Sequence, residues 1–122
     1  MIVAGFGFRA AADVDSLHNA LRRAVGDRRI TSLATVGDKA DTPVFRQFAK
    51  RLGLPVRRIS HHHLPSAKTQ SQGAMSQTMR QTGSVAEATA LLAAGPGARL
   101  VQTRIISTDR MATCAIAEGD TD

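Results

Sequence analysis

The sequence has no tryptophan and no tyrosine, and its aromatic residues are four phenylalanines. Domains that bind single-stranded nucleic acid stack bases on aromatic side chains, so this scarcity counts against that class. Because aromatic residues are so few, the hydrophobic core is expected to consist of Ala, Val, Leu and Ile. Hydrophobic residues still make up 43% of the 122 residues, which is enough for the core of one domain.

Features of secreted and membrane proteins are also missing. The single cysteine, Cys114, cannot form an internal disulfide, and its place in the apolar run 111–117 predicts a buried side chain that is a poor nucleophile. No apolar run is long enough to span a bilayer. No basic segment precedes the apolar N-terminus, as a signal peptide would require. These absences predict a cytoplasmic protein without membrane contact.

Negative charge is scarce, with ten Asp and Glu against sixteen Lys and Arg, for a net charge of +6. Lysine occurs only at positions 39, 50 and 68, so arginine carries most of the positive charge. Arginine binds carboxylate and phosphate groups through two parallel hydrogen bonds. The composition therefore favours an anionic partner, and it leaves open both a polycarboxylate small molecule and nucleic acid.

Strand and helix signals alternate along the chain, which predicts an α/β fold. Strands are predicted in the opening apolar run and at residues 30–36, 56–59, 100–106 and 112–117. Helices are predicted after N-caps at Asp13, at Asp41 or Thr42, and at Ser84, and they end at Gly26, Gly53 and Gly95. The polar stretch 66–82 is predicted to be a loop with one short helix. The short connection 107–111 predicts an antiparallel hairpin of the last two strands. Residues 1–122 are thus expected to form a single three-layer α/β/α domain with a mixed sheet of about five strands.

A turn after the first strand is the first candidate site. Gly5 and Gly7 interrupt the apolar run, and Arg9 follows them. Glycines let the backbone approach a ligand closely, and ligands of open α/β sheets usually bind at the carboxyl edge, where this turn would lie. The Gly-x-Gly-x-x pattern lacks the third glycine of a dinucleotide fingerprint. A turn that merely needs positive φ explains these glycines equally well.

Two further predicted loops bring polar residues to the same edge. One contains Lys39 and Asp41 before a helix N-terminus that would attract anions, although a solvated lysine is the ordinary alternative. The other contains His61, His62 and His63. Consecutive histidines point in different directions, and no Cys-x-x-Cys or His-Glu-x-x-His motif accompanies them, so we expect no metal and no cofactor. Metal delivery through these histidines is the alternative to hydrogen bonding or proton transfer.

Ser84 and Glu87 have the spacing of a capping box, in which both side chains satisfy backbone N–H groups at the start of a helix. A nucleophile and its base are the alternative interpretation. Both residues are also kept as candidate ligand-binding residues. No catalytic residue can be identified from the order of residues alone.

Several short motifs occur in an order that resembles a known family. They are Gly-x-Gly-x-Arg at 5–9, Leu-Ala-Thr at 33–35, Lys-Ala-Asp at 39–41, Leu-Gly-Leu-Pro at 52–55, Thr-Gly-Ser-Val-Ala-Glu-Ala at 82–88 and Ala-Ile-Ala at 115–117. Together they resemble the CobE family of cobalamin biosynthesis, which is similar to the C-terminal domain of CbiG. The resemblance extends over nearly the whole chain.

The resemblance implies a compact α/β domain that acts in construction of the corrin ring and binds a precorrin, a tetrapyrrole ringed by carboxylates. Arg9 and Lys39 would pair with these carboxylates, assisted by the turn amides near Gly5 and Gly7. Two-domain CbiG relatives open a lactone on a cobalt-precorrin and release a two-carbon aldehyde. A chain this short resembles the stand-alone form of the aerobic pathway, which implies either a carrier or accessory factor, slightly favoured, or an enzyme of unresolved reaction.

Two positions depart from the pattern of the family. Thr42 stands where the family usually has a glutamate, so an acid–base role of that glutamate is in doubt here. Phe8 and Ala10 flank Arg9, where the family usually carries a cysteine and further basic residues. We expect a precorrin-type tetrapyrrole as ligand, other cobalamin-pathway enzymes as further partners, and no nucleic acid. A small basic nucleic-acid-binding domain is the alternative function, and it predicts binding that falls steeply with salt.

Overall fold

A computed structural model describes residues 1–60 and 82–119. In these ranges the strands are β1 (Ile2–Phe8), β2 (Ser32–Val36), β3 (Val56–Ile59), β4 (Arg99–Ile106) and β5 (Ala112–Glu118). The helices are α1 (Val14–Val25), α2 (Gly37–Ala40), α3 (Pro43–Leu52) and α4 (Thr82–Ala94). The predicted order of strands and helices is confirmed in these ranges. The short helix predicted within 66–82 lies outside the described residues.

The five strands form one mixed sheet in the order β3-β2-β1-β5-β4. β1, β2 and β3 run parallel, whereas β5 pairs antiparallel with both β1 and β4. Gly5 shows the register, since it lies opposite Ala34 of β2 and Ala115 of β5. The predicted closing hairpin is therefore confirmed, and its second strand lies beside β1 in the middle of the sheet.

One face of the sheet packs against α1 and α3 around the phenylalanines. Phe6 has edge-to-face contacts with Phe45 and Phe48, with ring centroids 5.7 and 5.2 Å apart. Phe8 stacks on Phe45 at 5.7 Å. All four rings are at most 2% exposed. The prediction of an aliphatic core is confirmed only in part on this face, because Ala, Leu and Ile residues surround a cluster of all four phenylalanines, in which each ring contacts at least one other.

The other face packs against α4 and is built from small residues. Val3, Ala34 and Ala117 of the sheet form a buried cluster with Ala90 and Ala94 of the helix. A Cβ atom at Gly5 would overlap the carbonyl oxygen of Ala86 and lie 2.6 Å from the backbone nitrogen of Ala90. The missing side chain therefore lets α4 lie directly on β1.

The helix ends follow local sequence signals. Asp13 caps α1 by accepting a hydrogen bond from the backbone N–H of Ser16 at 2.9 Å, and the Ser16 hydroxyl completes a capping box. Thr42 caps α3 ahead of Pro43, and Gly53 ends it in the left-handed conformation with φ 68°. The helical turn α2 was not predicted. None of the helices in residues 1–60 and 82–119 is long and apolar enough to cross a membrane.

Candidate functional site

The parallel strands β1, β2 and β3 end at one border of the sheet, which we call the carboxyl edge. Arg9 directly follows β1 and is exposed. Its backbone N–H donates to the carbonyl oxygen of Met111 at 2.9 Å, so the β4–β5 turn (residues 107–111) lies at the same edge. Within the described residues, no acidic side chain pairs with the Arg9 guanidinium. The predicted position of Arg9 at this edge is confirmed.

Lys39 reaches the same edge from α2. Its side chain is half-buried, and its Nζ atom lies 5.1 Å from the centroid of the Phe8 ring. An ammonium group above an aromatic face is stabilised by about 0.5–1 kcal/mol at an exposed site. Lys39 is therefore held next to the end of β1, in contrast to the alternative of a lysine on a solvated loop.

Asp41 was predicted as a ligand-binding residue, but its carboxylate is already paired. Nη1 and Nη2 of Arg58 on β3 lie 2.5 and 2.9 Å from its two carboxylate oxygens. The two side chains are 58% and 59% exposed, so the pair contributes at most about 1 kcal/mol to stability. Arg58 was not predicted as the partner of Asp41, because the two lie 17 positions apart in the chain and no local pattern links them.

The glycines do not form the predicted turn. Gly5 and Gly7 both lie inside β1 and are buried. The carbonyl oxygen of Gly7 accepts a hydrogen bond from the Thr113 hydroxyl at 3.2 Å. The prediction of a glycine turn that offers free amides is wrong, because antiparallel pairing with β5 continues through both glycines as far as Phe8.

The capping-box interpretation of Ser84 and Glu87 is also wrong. α4 begins at Thr82, so Glu87 lies in its second turn. Glu87 is 2% exposed, and its Oε2 atom accepts a hydrogen bond at 3.3 Å from the backbone N–H of Arg104, beside an irregularity in the β4–β5 pairing. Its Oε1 atom is buried and has no hydrogen-bond partner among residues 1–60 and 82–119. The side chain of Ser84 and the residues His61, His62 and His63 lie outside the described part of the structure.

The β4–β5 turn is fastened to α1. The hydroxyls of Ser107 and Ser16 both donate to the Asp109 carboxylate, and the backbone N–H of Met111 donates to it at 3.1 Å. These hydrogen bonds, with that of Ser107 the strongest, lower the pKa of Asp109. The backbone N–H of Thr108 also donates to the side chain of Asn19 at 2.7 Å. The sequence predicted this turn only as a connection between two strands, and its fixed position at the carboxyl edge was not predicted.

A second basic surface lies on the outer side of α3. The exposed residues Arg46, Gln47, Lys50 and Arg51 line a shallow, open depression of about 690 Å³. α3 itself contains no acidic residue. The depression does not include Arg9 or Lys39, and it is too open to enclose a ligand. In residues 1–60 and 82–119, no group of His, Cys, Asp and Glu side chains is arranged to hold a metal ion.

Comparisons with known proteins agree on one family. The family described as Cobalamin synthesis G C-terminus matches residues 2–117. Cobalamin biosynthesis protein chiG from Agrobacterium tumefaciens is 34% identical with a TM-score of 0.75, covering 99% of this chain and 100% of that one. CobE, a protein from the cobalamin (vitamin B12) biosynthetic pathway, is 31% identical with a TM-score of 0.74, covering 100% of this chain and 92% of that one.

A more distant structure shares the fold alone. A chain described as a homologue of cobalamin biosynthesis protein G from Sulfolobus solfataricus is 18% identical with a TM-score of 0.68. The similarity covers 95% of this chain and 36% of that longer one. No curated protein matches the sequence significantly.

Proposed function

Since this chain belongs to the Cobalamin synthesis G C-terminus family, we propose that it binds a carboxylate-rich, precorrin-type tetrapyrrole during construction of the corrin ring. The observation that carries the proposal is the pair of cationic side chains, Arg9 and Lys39, held at one edge of the sheet. Carboxylates on the rim of such a ligand are the groups that arginine and lysine recognise.

The two cations differ in how firmly they are held. Lys39 is fixed against the Phe8 ring, whose own position is set by the stack on Phe45. Among the described residues, Arg9 is held only through its backbone, so its guanidinium can turn to meet a carboxylate. In the proposed site, Lys39 supplies a positive charge at a fixed position. Arg9 supplies a guanidinium that can turn and donate two parallel hydrogen bonds to a carboxylate. In this scheme Asp41 orients Arg58 and does not itself contact the ligand.

The proposed role is that of a carrier or accessory factor in the aerobic pathway. Arg9 and Lys39 recognise carboxylates, but neither is a nucleophile paired with a base. Ser84, Glu87 and the three histidines at 61–63 stay predicted ligand-binding residues. The cytoplasmic location and contacts with other enzymes of the pathway also stay predictions.

The test is an absorbance titration of the purified protein with hydrogenobyrinic acid, alongside Arg9→Gln and Lys39→Gln. Arg22→Gln is the matched control, because Arg22 is exposed in the last turn of α1, away from the carboxyl edge. We expect saturable binding that each edge substitution weakens about two- to fivefold, as for exposed ion pairs. An absence of saturable binding, or an equal loss in the control, contradicts the proposal.

The alternative function, a small nucleic-acid-binding domain, has only the net charge of +6 in its favour. All four phenylalanines are buried, and the chain has no tyrosine or tryptophan, so no Phe, Tyr or Trp ring is available for base stacking. This alternative predicts binding to DNA or RNA that falls steeply between 50 and 200 mM salt, on the order of 10³-fold for several phosphate contacts. The same titration with an oligonucleotide would detect it.

A further inference from the structure

The β4–β5 turn contains an arginine in an unusual backbone conformation. Arg110 has φ 63°, and among the described residues it is the only non-glycine residue with positive φ. A side chain in this left-handed region crowds the backbone, so glycine or asparagine is the ordinary choice there. An exposed arginine at such a position is stabilised neither by its own backbone preference nor by burial.

Hydrogen bonds that close the turn and fasten it to α1 hold this conformation in place. The backbone N–H of Arg110 donates to the carbonyl oxygen of Ser107 at 2.9 Å, and the N–H of Ser107 donates to that of Ala112 at 2.8 Å. The Asp109 carboxylate accepts from two hydroxyls, one of them on α1. The base of the Arg110 side chain is therefore held in a fixed position relative to α1 and the sheet.

That position lies beside Arg9. The hydrogen bond from Arg9 to the Met111 carbonyl places Arg9 opposite the residue that follows Arg110. Both arginines are exposed, and within the described residues neither forms an ion pair. The nearby carboxylate of Asp109 is turned toward hydroxyls and a backbone N–H, so it does not neutralise either guanidinium by direct contact.

We propose that Arg9 and Arg110 together bind two carboxylates of one multiply charged ligand, with Arg110 as the residue that sets the spacing. The identity of that ligand as a tetrapyrrole rests on the proposed function, but the carboxylate chemistry does not. Each guanidinium offers a planar fork that matches one carboxylate. The fastened turn reduces the freedom that Arg110 loses when a ligand binds, which favours affinity.

The deciding variant is Arg110→Gly. If Arg110 only stabilises the turn, this variant should lose stability and keep its affinity for the ligand, whereas a binding role predicts that it keeps its stability and loses affinity. Glycine accepts positive φ without strain, so the melting temperature should stay unchanged or rise by a few degrees. Binding of hydrogenobyrinic acid should weaken about two- to fivefold, as expected for loss of one exposed ion pair. Arg110→Asn, which also tolerates this conformation, should weaken binding equally, whereas Arg22→Gln should not.

A second probe separates this inference from the proposed function. Benzenehexacarboxylate, a flat anion with many carboxylates, is titrated into the ¹⁵N-labelled protein, and the backbone amide shifts of Arg9, Arg110 and Met111 are followed. Shifts with this probe but no binding of hydrogenobyrinic acid would support the arginine pair and refute the tetrapyrrole. The inference would be overturned if Arg110→Gly bound either probe as tightly as the wild type does. It would also be overturned if neither probe shifted the backbone amide signals of Arg9, Arg110 and Met111.

Discussion

Replacing Gly5 with alanine tests the close packing of α4 on β1. The added Cβ would overlap the carbonyl oxygen of Ala86 and lie 2.6 Å from the nitrogen and 2.8 Å from the Cβ of Ala90. Two of these three atoms belong to the helix backbone, which cannot move aside as a flexible side chain can. The substitution therefore forces the whole helix away from the sheet and loosens the cluster of small residues beneath it.

The expected loss of stability follows from this geometry. Overpacking in a core typically costs 1–3 kcal/mol, and the upper end applies here, so we expect about 3 kcal/mol. An unfolding entropy of about 2.1 cal/mol/K per residue gives about 0.25 kcal/mol/K for a chain of 122 residues. The melting temperature should therefore fall by about 12 °C.

Thermal unfolding followed by circular dichroism is the assay, with Gly37→Ala as the control. An added Cβ at Gly37 would lie 3.6 Å from Nη2 of Arg58, which is an ordinary contact, so we expect a shift within about 2 °C. Adding Ala90→Gly to Gly5→Ala removes only the overlap with the Ala90 Cβ and should not restore stability. A melting temperature of Gly5→Ala within about 3 °C of the wild type, or full rescue by Ala90→Gly, would refute the reasoning.

Three further predictions follow from buried and hydrogen-bonded groups. Burial raises the pKa of Cys114, so a thiol reagent should label it only at the rate of unfolding, and fast labelling of the native protein would contradict this. The pKa of Asp109 is lowered in the folded state, so the ionised carboxylate stabilises the fold. The wild type should therefore melt at a higher temperature than Asp109→Asn, with the full difference above about pH 4 and a smaller one as pH falls through the lowered pKa. A difference in melting temperature that is equal at all pH values would be evidence against this. Glu87→Ala leaves the N–H of Arg104 without its acceptor and should lower stability by about 1–3 kcal/mol in urea unfolding, whereas Glu87→Gln keeps an acceptor oxygen and should lower it less.

The fold was predictable because its signals are local. A capping side chain lies three residues from the N–H that it binds, as with Asp13 and Ser16. A glycine such as Gly53 ends a helix through its own backbone freedom. The short 107–111 connection can only join antiparallel strands. The positions of Arg9 and Lys39 at one edge then follow from the parallel order of β1 and β2.

Most roles of the candidate residues depended on contacts between residues that are far apart in the chain. The sequence by itself determined the order of the strands and of the three longer helices, the ends of α1 and α3, and the edge at which cationic groups collect, because hydrophobic periodicity and capping act within a few residues. Only the tertiary structure decided that Gly5 lies beneath α4, that Arg58 pairs with Asp41, and that Ser16 fastens a turn 93 residues away. These contacts form when packed layers bring distant residues together, and no short spacing in the sequence records them.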